Sequence, residues 1–151
     1  MNRGWGLLTV AALVGATVAA AVAQPVGFLT EQQRLASYCA GVSEARMRQL
    51  EGFLKNECPG SERKECRQAQ ADLDKAKIMD RRLWDFLTTQ IYTAKDQTKN
   101  EKNWSITVMS RGSDDWTACQ RRPADQRGED PLPCREAKGC LIDARFRFLP
   151  P

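Results

Sequence analysis

The sequence predicts an all-α protein: an antiparallel helical hairpin or three-helix bundle, stapled by disulfides and ending in an irregular C-terminal segment. Three observations carry this. Between Ser61 and Lys95, apolar side chains at Cys66, Ala69, Leu73, Ala76, Leu83, Leu87 and Ala94 recur in steps of three and four, which places them on one helical face. Asp80 and Gln90 fill the two steps they skip. An upstream stretch repeats the same spacing. Finally, the chain has six cysteines, an even number, downstream of a segment built like an export signal.

The N-terminal 23 residues form that segment. Arg3 supplies a short basic start, Leu7 to Ala20 is almost wholly apolar, and Ala21-Val22-Ala23 has the small-x-small pattern of a cleavage site. The alternative is an uncleaved membrane anchor. Against it, the apolar run is short for a spanning helix and no basic stop-transfer cluster follows. Removing residues 1–23 takes away one basic residue and no acid, so the net charge of +4 falls to +3. That charge is too mild and too dispersed to argue for nucleic acid.

Residues 24–29 are a leader. Thr30 then caps a first helix with Glu31 in its first turn, running to about Asn56. Ala36, Cys39, Ser43, Met47, Leu50 and Leu54 form its inner stripe, widened by Leu35, Val42 and Phe53. Gly41 and Gly52 weaken the helix but permit close approach of a neighbour. Cys58-Pro59-Gly60-Ser61 is a turn by composition, with Ser61 as the cap of the long helix, so the two helices form an αα-hairpin. The long helix is expected to be the element that the rest of the chain covers. Ile78, Trp84 and Ile91 lie off its main face, which implies a third element packed on its other side.

Residues 100–111 are expected to form that third helix. The competing reading pairs Trp104, Ile106 and Val108 as a strand with the alternating tail Leu141–Leu149, giving a two-stranded ribbon. Gly112 reads as a break and Ser113 as the cap of a further short helix through Trp116 and Cys119. The helical domain therefore covers 30–122, and 123–151 is a disulfide-tied loop and tail.

Cys58 and Cys66 flank the hairpin turn and are expected to bridge. Cys39 lies about 28 Å along the first helix from Cys58, beyond the reach of a disulfide. Cys39–Cys119 with Cys134–Cys140 is the favoured remainder, and Cys39–Cys140 with Cys119–Cys134 is the competitor. Zinc is disfavoured because the closest cysteines are six residues apart and there is no histidine.

The absence of histidine also excludes serine–histidine and cysteine–histidine nucleophiles. No Cys-x-x-Cys redox motif and no phosphate-binding glycine loop is present. Asp114-Asp115 and Glu129-Asp130 are formal candidates for a carboxylate pair, and read more simply as a helix start and a solvated loop. Asp125, Glu129 and Asp130 lack an EF-hand register and have Arg127 among them. Asp80, on the apolar face, is expected to pair with Arg46 or Arg48 across the hairpin. Asn103-Trp104-Ser105 matches a glycosylation acceptor. No catalytic, cofactor-binding or metal residue is assigned, and no cofactor is expected.

The functional expectation is a small exported, non-enzymatic binding or structural module of the periplasm or cell envelope. Its partner would be a protein or envelope component. The membrane would be contacted only if the signal segment is retained. Candidate surface residues are Trp84, Ile91, Arg145, Phe146, Arg147 and Phe148. The alternatives are a carboxylate-dependent hydrolase and a signal-anchored envelope protein.

Overall fold

The computed structural model describes residues 29–122, 130–142 and 146–149, and their regular secondary structure is all helical. Residues 1–28, which include the expected signal segment and most of the expected leader, lie outside them. Helix α1 spans Glu31–Glu57 and α2 spans Lys64–Leu87, with a π-helical turn over Thr88–Tyr92 extending α2. Helix α3 spans Lys99–Gln120 and α4 spans Leu132–Gly139.

Thr30 starts α1 through a reciprocal capping box, its hydroxyl accepting from Gln33 N–H while the Gln33 side chain accepts from Thr30 N–H. The turn after α1 is closed by the Cys58–Cys66 disulfide, with Gly60 at positive φ. The cap expected at Ser61 is not formed. Arg63 occupies the cap position, and Ser61 Oγ instead accepts from Arg63 N–H at 3.3 Å. The predicted inner stripe of α2 is buried from Cys66 to Leu87, and only Ala94, beyond the helix, is half-buried.

Helices α1 and α2 run antiparallel: Gln33 Nε2 donates to Gln90 O, and Ser43 Oγ donates to Ala76 O. Helix α3 returns parallel to α1, with Ser105 opposite Ser37 and Trp116 Nε1 donating to Gln49 Oε1. The expected third helix over 100–111 is present as part of α3, so the competing strand at 104–109 is not formed. Two expectations fail, because the helix runs on through Gly112 and Ser113 caps nothing. Its inner face is Glu101, Ser105, Gly112 and Trp116, whereas the alternating Trp104 and Ile106 stand about half exposed. Thr98 starts it through a second capping box with Glu101.

Gly112 continues the helix because two helices cross there. An added Cβ would lie 2.1 Å from Tyr38 O, and one at Gly41 would lie 1.8 Å from Met109 O. Both contacts are with backbone, so the two glycines set the α1–α3 separation. Gly52, by contrast, has nothing nearby.

The centre of the fold is therefore α1 and not, as expected, α2. Every residue from Ala36 to Ser43 is buried, more than two full turns, so no face of that stretch meets solvent. Helices α2 and α3 flank it, and the C-terminal segment closes the remaining side. Cys134 anchors α4 to the end of α3 through Cys119, and Cys140 bridges to Cys39 on α1. Phe146 and Leu149 then enter the same core as Leu83, Leu87 and Ile91.

The favoured pairing, Cys39–Cys119 with Cys134–Cys140, is thus corrected to the competitor. The reason is register. Ser105 lies level with Ser37, so Cys119 lies level with about Gln49, roughly 15 Å beyond Cys39 along α1. Among the described residues, no third helix packs along the outer side of α2 either. Ile78 is 64% exposed there.

Candidate functional site

The uncovered flank of the α1–α2 hairpin is the most developed surface feature. The described part of the C-terminal segment crosses α1 at its N-terminal half. Below the Cys39–Cys140 bridge it leaves a groove of about 460 Å³. Arg46 of α1 and Lys75, Ile78 and Met79 of α2 form its walls, with the buried Val42 behind them, and Leu141 forms its head. A shallower trough of about 470 Å³ continues it past Leu50 and Phe53 on α1 and Gln68 and Ala69 on α2. Asp72 lines both, so the two lie end to end along one flank of the hairpin. Ile78, Leu141, Ile142 and Phe53 are exposed along or beside it. Arg46, Lys75 and Arg82 are its basic lining residues in the upper part and Asp72 its acid.

The residues picked out from the sequence as a partner surface do not come together. Ile91 and Phe146 are core residues, 0% and 1% exposed, so neither presents a surface. Phe148 is half-buried, edge-on to Phe86 at 5.1 Å between ring centres, and Arg147 is exposed. Arg145 lies outside the described residues. Trp84 is 37% exposed and stacks on Tyr92 at 6.0 Å. It lies across α2 from the groove, on the side of Asp80 and Glu44.

Asp80 has no ion pair with Arg46 or Arg48 among the described residues. Arg48 donates to Glu44 Oε1 and Ser113 Oγ, and Arg46 turns into the groove on the opposite flank. One Asp80 carboxylate oxygen is buried with no hydrogen-bond partner among the described residues. Burial, followed by the nearby Glu44 carboxylate, pushes its pKa up to about 6, against the opposing effect of the nearby Ser43 hydroxyl.

The other acids have structural partners. Asp115 accepts from the Tyr38 hydroxyl at 2.9 Å and pairs with Arg111, while Asp114 is exposed, so the two do not form a working pair. Burial, and then Asp115, raise the Tyr38 phenol well above its usual range. Asp130 pairs with Lys138 and Arg122, and the Lys138 hydrogen bond holds its carboxyl below the usual range. Asp125, Arg127 and Glu129 lie outside the described residues. Among the described residues, no three cysteine or acid side chains converge on a metal position.

Ser105 of the glycosylation pattern is fully buried. Ser37 spends its proton on Gln33 O, so the Ser105 hydroxyl donates to Ser37 Oγ and Tyr92 donates to Ser105. The motif is a structural hub in the folded chain.

Fold and surface together define a class: a disulfide-stapled, all-helical protein with a grooved two-helix face. No protein-family model matches the chain, and no curated protein or solved structure matches it. Three disulfides fit an oxidising compartment, and no helix among the described residues is long and apolar enough to cross a membrane.

The groove was not predicted. Its only signal was that Ile78 and Phe53 lie outside or at the margin of their helices' inner stripes.

Proposed function

We propose that the protein is a non-enzymatic binding module of the periplasm or cell envelope, exported by residues 1–23 and recognising a protein or envelope partner through the α1–α2 groove. One observation carries the reading. Exposed apolar side chains line a preformed channel whose head is fixed by the Cys39–Cys140 bridge and whose foot lies near Cys58–Cys66. A rigid frame reduces the ordering cost of association. The half-buried Asp80 is the observation that favours the hydrolase alternative, but it does not line the groove.

The test is a pull-down from envelope extract with the exported, oxidised protein and its Ile78→Asp variant. The reading expects a discrete partner that the variant loses. It fails if no partner is retained, or if every retained partner binds both forms equally. Export predicts a mature N-terminus at or close to Gln24 by mass spectrometry; recovery of intact chain in the membrane fraction would favour the anchor.

A further inference from the structure

We infer that the groove takes an acidic amphipathic helix of another protein, about three turns long. This deepens the binding-module reading and rests on it. The channel follows α2 from Gln68 to Met79, about 16 Å at helical rise, which is the length of three turns. Its floor lies between two antiparallel helices. A third helix laid there would place apolar anchors at i, i+3 or i+4 and i+7, one set against Met79 and Ile78 and another against Leu50 and Phe53.

Charge selects the sign of the occupant. Arg46 from α1 and Lys75 from α2 line the upper groove, and neither is held by an ion pair among the described residues. The acid beside them, Asp72, accepts a hydrogen bond from Gln68 Nε2 at 3.1 Å. Acidic side chains flanking the anchors of the bound helix would meet both cations, which sets register and favours acidic partners over basic ones.

Two other occupants fit less well. The channel is open along its length, whereas an acyl chain needs most of its surface enclosed. The chain's own leader enters at Leu29, and Phe53 lies about 36 Å further along α1. The five residues preceding Leu29 after signal removal span at most about 18 Å.

The test uses the exported, disulfide-bonded protein and a display library of random peptides about 12 residues long. The arms are wild type, the double variant R46E/K75E, and Lys95→Glu as a charge change away from the groove. Matching melting temperatures establish that all three are folded. Enriched peptides should be net acidic, with apolar residues at helical spacing. They should bind R46E/K75E at least about tenfold more weakly and Lys95→Glu unchanged. The inference is overturned if nothing is enriched, if the selected peptides are neutral or basic, or if the double variant binds them as wild type does. It is also overturned if the groove-dependent ligand proves to be phosphatidylglycerol vesicles instead of peptide. An envelope protein captured equally by R46E/K75E and lost by Ile78→Asp would overturn the acidic-helix assignment while leaving the binding module standing.

Discussion

Replacing Gly112 by alanine tests the contact that sets the α1–α3 spacing. The new methyl carbon would lie 2.1 Å from Tyr38 O and 3.0 Å from Tyr38 C, both backbone atoms of a buried helix. No rotamer change relieves such a contact, so α3 must move by more than about 1 Å to restore ordinary separation. Overpacking of this kind costs about 1–3 kcal/mol, and the absence of a yielding side chain puts Gly112→Ala at the upper end. Alanine's better helix propensity returns about 1 kcal/mol, leaving a net loss of about 2 kcal/mol. Gly52→Ala makes the same chemical change in α1 where nothing lies within 4 Å. It keeps the propensity gain and should stabilise by up to about 1 kcal/mol. Urea unfolding with the disulfides intact, followed by circular dichroism, should therefore separate the two variants by about 3 kcal/mol. A Gly112→Ala protein as stable as wild type would show that the helices do not cross there.

Other perturbations probe the acid, the core and the bridges. Asp80 binds its proton more tightly folded than unfolded, because its pKa rises from 3.8 to about 6. Its destabilising effect is therefore full above about pH 6 and gone below about pH 4. Stability should rise as the pH falls through that window, by on the order of 1 kcal/mol once solvent screening of this half-exposed group is allowed for. Asp80→Asn should stabilise at pH 7 and flatten the profile; an unchanged pH profile would assign the effect to another group. Leu83→Asp places a charge at a position that is 0% exposed and should cost several kcal/mol, whereas Lys77→Asp, on the outer surface, should cost less than about 1 kcal/mol; equal melting temperatures would refute the phase of α2. Replacing Cys39 and Cys140 by serine opens a loop of 101 residues and should cost about 5 kcal/mol, against about 2.5 kcal/mol for the eight-residue Cys58–Cys66 loop; the reverse order in thermal melts would contradict the chain-entropy basis.

What could be read from the sequence was mostly local. Thr30 and the three-and-four stripes located α1 and α2 because caps and amphipathic spacing act within a few residues. Cys58–Cys66 followed from their flanking one turn. Helix α3 was harder because its inner face is made of Glu101, Ser105 and Gly112, residues that carry little hydropathy signal, while its tryptophan and isoleucine at 104 and 106 face outward. The same blindness hid the role of α1. Gly41 reads as a weak spot and Ser37 and Ala40 add nothing to the apolar stripe, yet small side chains are what allow other elements to close around the helix. The remaining two bridges depended on the register of α3, which the start at Thr98 sets so that Cys119 lies level with about Gln49 and not with Cys39. The groove depends on where the C-terminal segment stops covering α1 and α2, which no local pattern encodes.

Native-state hydrogen exchange is the most direct test of α1 as the centre of the fold. With every residue from Ala36 to Ser43 buried, their amides should exchange only through global unfolding and be the slowest in the chain. Amides of α2 between Leu73 and Leu87, whose outer face meets solvent, should exchange faster. Slower exchange in that part of α2 than across Ala36–Ser43 would return the centre of the fold to α2 and contradict the arrangement of helices described.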